Sequence, residues 1–316
     1  MPTSSITVRV PAKINLQLSV GPREKDGYHN LVSVFQAISI FDDVTVKRAD
    51  VGNGITIAIS GEQTHGVPAD SSNLAVKAAQ LVAKRFDISS DLHIEIKKSI
   101  PVAGGMAGGS ADAAATLVAL DALFHLELSR EELHKLGSEL GSDVPFMISG
   151  GTAVGQGRGD QLTAALSRGT YHWVLALSSV GLSTPAVYAE CDRMRAELEI
   201  APPQVSDALM QSLLAADAEA VGRALSNDLQ SAACSLRPAL SLVLEVGRDY
   251  GALGAIVSGS GPTVAFLVAD EDAGLDLAVA LTASGVVGSV ARALGPVPGA
   301  KVDRKSTRLN SSHRCI

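Results

Sequence analysis

Residues 101–112 read Pro-Val-Ala-Gly-Gly-Met-Ala-Gly-Gly-Ser-Ala-Asp, and no other stretch restricts the fold as strongly. Four glycines between positions 104 and 109 let the backbone approach a ligand closely and turn its N–H groups inward. Before them, Leu92, Ile94 and Ile96 alternate with His93, Glu95 and Lys97, the period of a half-buried strand that Pro101 ends. After them, residues 111–124 are almost all Ala, Leu and Val, a helix buried on most sides. A strand, a glycine loop and a helix start in succession make a phosphate site, because the first helical N–H groups lack partners and carry partial positive charge. The candidate nucleotide contacts are therefore Pro101, Val102, Ala103, Gly104, Gly105, Met106, Ala107, Gly108, Gly109, Ser110 and Ala111. Ser110 either caps the helix or offers its hydroxyl to a metal ion. A tight turn that lets a buried helix pack closely would use the same residues.

Two common phosphate loops do not fit. A Walker A loop needs Gly-Lys-Ser/Thr, and no lysine follows these glycines. A dinucleotide fold wants an acidic residue about 20 positions on, at the end of the next strand. Here that region is a helix opened by the capping box Ser129–Glu132.

The flanking chain predicts strands at Ile6–Val10, Ile14–Val20, Val44–Val46 and Ile55–Ile59, each with one buried face. Ser72 or Asn73 caps a helix carrying Leu74, Ala78, Leu81, Val82 and Phe86. A second segment begins near residue 165. It holds a strand at Trp173–Leu177, helices at about 205–215, 217–225 and 238–249, and two short strands around Ser258-Gly259-Ser260-Gly261-Pro262. A helix at about 271–283 and a strand at about 286–293 follow. Strands and helices mix without regular βαβ alternation, so two α+β domains are expected, at 1–164 and 165–300. Residues 301–316 carry five basic residues and no apolar period, and read as a disordered or non-native tail rather than a functional basic arm.

Composition excludes several classes. The net charge of −7 and the lack of basic stripes argue against a nucleic-acid surface. No apolar run reaches the about 18 residues of a membrane span, and the start has no secretory pattern. Cys191, Cys234 and Cys315 show no disulfide or metal spacing, which fits a reducing cytoplasm. No serine sits in a Gly-x-Ser-x-Gly elbow.

The glycine loop resembles the second motif of the galactokinase–homoserine kinase–mevalonate kinase–phosphomevalonate kinase superfamily. Pro11-Ala12-Lys13-Ile14-Asn15-Leu16 resembles the first motif and Ser258-Gly259-Ser260-Gly261-Pro262-Thr263 the third, in the expected order across most of the chain. Asp26-Gly27-Tyr28-His29-Asn30-Leu31, Gly141-Ser142-Asp143-Val144-Pro145-Phe146 and Gly155-Gln156-Gly157-Arg158-Gly159-Asp160 resemble signatures of the 4-diphosphocytidyl-2-C-methyl-D-erythritol kinase family within it. In the last of these, Asp160 stands where Glu is commoner.

That resemblance implies a ribosomal-protein-like N-terminal domain and a ferredoxin-like C-terminal domain. It implies ATP as co-substrate, Mg²⁺ held in part by Ser110, and phosphorylation of the 2-hydroxyl of a small cytidyl substrate, by a monomer or homodimer. Lys13 and Asp143 match the catalytic lysine and general base; from the residues alone they could be a solvated lysine and a turn carboxylate. Asn15, next to Lys13 on the same strand face, is placed to hold the Lys13–Asp143 pair or the substrate diol. Tyr28 and His29 match the cytidine site, with Tyr188 as a second stacking ring. Asn73 and Lys97 match positions around the adenine, and Gly259, Ser260 and Gly261 belong to a loop that closes over phosphates or shapes the substrate cleft. Another kinase of the superfamily acting on homoserine or mevalonate is the near alternative, and a non-catalytic RNA-binding module the distant one. The Gly-Tyr-His loop separates the first two, because homoserine and mevalonate carry no base to stack.

Overall fold

The computed structural model describes residues 5–102, 104–178 and 180–303. It opens with two long antiparallel strands, β1 (Ser5–Arg23) and β2 (His29–Arg48). Next come β3 (Ile55–Gly61), α1 (Leu74–Phe86), β4 (Leu92–Lys98), α2 (Gly108–Phe124), α3 (Arg130–Leu140), α4 (Val144–Ser149), β5 (Thr152–Gly157) and β6 (Gln161–Ala164). The chain continues through β7 (Tyr171–Leu177), α5 (Thr184–Met194), α6 (Asp207–Ala215), α7 (Ala218–Ala224), β8 (Ser226–Asn227), α8 (Gln230–Leu236) and α9 (Ala239–Asp249). It ends with β9 (Gly254–Val257), β10 (Val264–Val268), α10 (Glu271–Ser284), β11 (Ser289–Gly295) and β12 (Lys301–Val302).

These strands form two sheets. The larger runs β12-β1-β2-β4-β3, with β5 also on β2, β6 on β5 and β8 on β1; the smaller runs β11-β7-β10-β9. The mixture is α+β, and parallel pairing occurs only at β3–β4 and β1–β8 among the described residues. The expected change near residue 165 falls between β6 and β7.

The smaller sheet is apolar on both faces. Tyr171, Trp173, Leu175 and Leu177 of β7 face the core shared with the larger sheet and α2. Val174 and Ala176 face a second core completed by Val187, Ala232, Val243 and Leu277 from α5, α8, α9 and α10. Alternation therefore sends one strand's side chains into two cores.

Strand β1 departs from the one-faced strand that its alternation predicts. Ile14 and Leu16 are buried, but so are Lys13, Asn15 and Gln17. The polar face is covered by chain from the second half: Gln17 Nε2 donates to the Gln204 carbonyl at 2.8 Å, and its Oε1 accepts from the Ser206 N–H at 2.9 Å. The β1–β2 register shifts between Pro11 and Ala12 and again between Asn15 and Gln17. Such irregularities bend a strand and re-aim its side chains, and these two bracket Lys13 and Asn15.

Three further differences have physical reasons. Residues 29–43 continue β2 although polar groups interrupt the pattern, because Ser33, Gln36 and Asp42 are buried by partners on both sides. Helix α2 starts at Gly108, three residues before the expected start. Lys301 and Val302 are strand rather than tail, since Val8 and Arg9 at the edge of the larger sheet pair with them. Residues 304–316 lie outside the described residues.

Candidate active site

The three glycine- and lysine-bearing motifs meet at one place. The Lys13 N–H donates to the Met106 carbonyl at 3.3 Å. Ser258 Oγ donates to the Gly105 carbonyl at 3.1 Å. Gly105 has φ +73°, and a Cβ there would run into the Ser258 carbonyl oxygen, so both its conformation and its neighbour require glycine. A Cβ on Gly259 would stand 3.6 Å from Lys13 Nζ and 3.4 Å from Asn15 Oδ1. Strand β1, the loop before α2 and the β9–β10 loop thus close on each other around the Lys13 ammonium.

That ammonium is held rigidly. Lys13 Nζ donates to Asn15 Oδ1 at 2.6 Å, Asn15 Nδ2 donates to Ser33 Oγ at 2.7 Å, and Ser33 Oγ donates to the Gln17 carbonyl at 2.9 Å. Burial pushes the Lys13 pKa below the ordinary lysine value, and the Asp143 charge opposes that shift. Asp143 precedes α4 at the N-cap position but makes no side-chain capping bond, so its carboxylate is not committed to the helix. Lys13, Asn15, Ser33, Asp143, Gly105 and Gly259 line a cavity of about 300 Å³.

Helix α2 points its start at this cavity's edge. Its N-cap is Ala107 at φ +59°, with no side-chain cap. Ser110 is therefore the third helical residue and not the cap, because the left-handed turn at Ala107 already sets the helix start. Its hydroxyl makes no hydrogen bond among the described residues. Of the loop residues, Gly105 and Ala107 line the cavity, while Pro101, Gly104, Met106, Gly108 and Ala111 are buried and Val102 and Gly109 do not line it. Ala103 lies outside the described residues.

A wider cavity of about 860 Å³ adjoins the first. Tyr28, His29 and Tyr188 all line it. His29 and Tyr188 rings lie 5.2 Å apart at 36°, and His29 Nε2 meets Asp192 Oδ1 at 2.8 Å. Burial, with the Asp143 charge second, pushes the Tyr188 phenol up to about 12, so the ring stays neutral. Tyr28 is 57% exposed, with the Arg158 guanidinium 4.1 Å from its ring centroid. Leu31, Ser142, Arg158, Thr184 and Tyr188 line both cavities, so the two form one cleft.

Two expected nucleotide contacts are not brought to this cleft. Asn73 is buried at the start of α1, where its Oδ1 accepts from the Ala75 N–H at 2.8 Å and its Nδ2 donates to the Pro68 carbonyl at 2.7 Å. Its Oδ1 caps α1, and its Nδ2 ties the cap to the preceding loop. Lys97 points outward from β4, on the face opposite its buried neighbour Lys98. Gly261 turns its loop at φ +79° without lining either cavity, whereas Gly259 and Ser260 do line the inner one.

Sequence reasoning missed a buried ionic triad under the glycine loop. Lys98 Nζ donates to Asp42 Oδ2 at 2.5 Å, Asp112 Oδ2 at 2.8 Å and the Gly108 carbonyl at 3.4 Å. Asp42 Oδ1 also accepts from the Ser99 and Ile100 N–H groups at 2.6 and 2.9 Å. Burial raises the Asp112 pKa to about 8; Lys98 opposes the shift and Asp42 adds to it. The clue was present in the sequence: Lys98 sits at a core position of β4's alternation, where an unpaired charge is not tolerated. Asp192 was also missed, and Ser142, Arg158 and Thr184 were noted only as parts of motifs or segments.

Comparison with known proteins agrees with this geometry. The GHMP kinases N terminal domain model matches residues 73–151, and the GHMP kinases C terminal model matches residues 209–287. The chain is 54% identical over 305 residues to a 4-diphosphocytidyl-2-C-methyl-D-erythritol kinase of Thermobifida fusca, covering 95% of this chain and 98% of that one. The chain belongs to the 4-diphosphocytidyl-2-C-methyl-D-erythritol kinase family. A Rhodococcus jostii member of the family is 52% identical, with 94% of each chain covered. A crystal structure of a 4-(cytidine 5'-diphospho)-2C-methyl-D-erythritol kinase superposes with a TM-score of 0.73 at 30% identity, covering 92% of this chain and 99% of that chain. As a small-molecule kinase of this family, the chain uses ATP as co-substrate. No described helix is long and apolar enough to cross a membrane.

Proposed function

We infer that this chain transfers the γ-phosphoryl group of ATP to the 2-hydroxyl of 4-diphosphocytidyl-2-C-methyl-D-erythritol. The observation that carries the reading is the single cleft, with an aromatic end at Tyr28, His29 and Tyr188 and a charged end at Lys13 and Asp143. The cytosine occupies the aromatic end. The amide-lined loop at Gly105–Gly108 and the start of α2 receive the ATP phosphates.

Asp143 accepts the proton of the substrate hydroxyl as its oxygen bonds to phosphorus. Lys13, fixed by Asn15, faces the charge that develops on the transferred group. Positioning and charge neutralisation supply most of the rate, and the base about 10²–10⁴-fold. Mg²⁺ keeps most of its waters in such sites and needs one or two protein oxygens beside the phosphates. The Ser110 hydroxyl, unbonded among the described residues, fits that role, and a bound ion would offset phosphate charge there. No group of three or more His, Cys, Asp or Glu side chains among the described residues could hold a metal alone.

The test is phosphate transfer from ATP across 4-diphosphocytidyl-2-C-methyl-D-erythritol, homoserine and mevalonate. Turnover with the cytidyl compound alone is expected. Turnover with homoserine or mevalonate at a comparable kcat/KM would overturn the assignment.

A further inference from the structure

A cytidine diphosphate ester laid along this cleft must carry its diphosphate past the residues that both cavities share. The base lies at one end and the reacting hydroxyl at the other, so two negative charges fall between them. Of the five shared residues, Leu31, Ser142, Thr184 and Tyr188 carry no positive charge; Arg158 does.

We propose that Arg158 binds the substrate diphosphate and thereby sets the preference for a diphosphate ester over a shorter nucleoside. The proposal rests on the cytidyl reading above. Arg158 is poised for the task. Its guanidinium covers one face of Tyr28 at 4.1 Å, leaving the other face for a base. Among the described residues its one ion pair is a 3.3 Å contact with Asp26, and both side chains are more than half exposed. An exposed pair of this kind contributes little and exchanges readily for a better acceptor. A planar guanidinium matches two phosphate oxygens at once, which a lysine ammonium does not. Glycines on both sides, Gly157 at φ +68° and Gly159 at φ +97°, keep bulk away from the arginine backbone.

The experiment compares CDP, CMP and cytidine binding to the wild-type chain, Arg158→Ala and Arg158→Lys by calorimetric titration, with the KM for ATP measured in parallel. The wild type is expected to bind CDP at least tenfold more tightly than cytidine. Arg158→Ala should reduce that ratio to near one, Arg158→Lys should restore part of it, and the KM for ATP should stay within twofold. If Arg158 acts only by supporting Tyr28, the alanine variant weakens CDP and cytidine equally and the ratio survives; that result overturns the proposal while the cytidyl reading stands. A wild type that binds none of the three overturns both.

Discussion

Asp143 is the residue whose surroundings leave it freest to act. It sits at a helix N-cap without capping, beside the buried Lys13. Replacing Asp143 with Asn keeps size and polarity but removes the proton acceptor. The expected result is a fall in kcat of about 10²–10⁴-fold with ATP affinity nearly unchanged. Near-normal turnover in a single-turnover assay would remove Asp143 from the chemistry. Lys13 yields a pH prediction. Burial lowers its pKa, so it loses its proton at a lower pH than the usual lysine value of about 10.4. The kcat/KM for ATP should therefore fall as pH rises, with the alkaline limb centred below that value. Bound phosphate favours the charged form, so the limb in kcat should lie at higher pH than the limb in kcat/KM. Superimposable limbs would mean that Lys13 does not face the phosphates.

At the scale of elements, the start of α2 hangs on the triad of Lys98, Asp42 and Asp112, and removing different members has different consequences. Lys98→Met leaves two carboxyl groups buried without a cation, expected to cost about 3–5 kcal/mol. Asp112→Asn removes the carboxyl that burial already raises to about 8, and Lys98 keeps Asp42 at 2.5 Å. Because Asn carries no proton to lose, this variant should melt close to the wild type at about pH 4 and above it at neutral pH. The sign of its pH dependence follows from linkage. Between about pH 4, the ordinary Asp range, and about 8, the folded state holds a proton that the unfolded chain has released. Stability therefore falls as pH rises through that window, and Asp112→Asn should flatten the slope. Thermal melts of both variants from pH 5 to 8 check this; an unchanged slope would remove Asp112 as its source.

The same elements mark the limit of what sequence can show. The glycine loop and the Ser129 capping box are legible because each is a local pattern, whereas Lys13 and Asp143 stand out from other lysines and carboxylates only through the family resemblance. Capping, turn chemistry and period two act over a few residues. The triad was not legible, since Asp42 lies 56 residues from its partner Lys98 and only the β2–β4 pairing brings them together. Helix α5, which carries Tyr188 and Asp192, was hidden because its apolar contacts are few, with only Val187 and Cys191 buried. Asn73 was legible as a cap, and its Oδ1 accepts from the Ala75 N–H; the local pattern around it carried no separate sign of a ligand contact.

For the whole molecule, the question is whether the two sheets unfold together. Two domains joined by a small polar interface would not be expected to do so. Here the interface is core. Tyr171, Trp173, Leu175 and Leu267 of the smaller sheet belong to the same buried cluster as Ile14, Phe35 and Leu117. Trp173 Nε1 donates to Gln36 Oε1 on β2 at 2.9 Å, and both residues are buried. Strands β8 and β12, late in the chain, pair with β1. The chain has one tryptophan, so its fluorescence reports this junction alone. If the shared core makes one cooperative unit, the Trp173 emission and the far-ultraviolet circular dichroism should lose their native signals at the same urea midpoint, since coincident transitions are the mark of two-state unfolding. A tryptophan transition at clearly lower urea, with helix signal retained, would mean that the sheets part before they melt. The cleft between Tyr28 and Lys13 would then be held by its loops and not by the core beneath them.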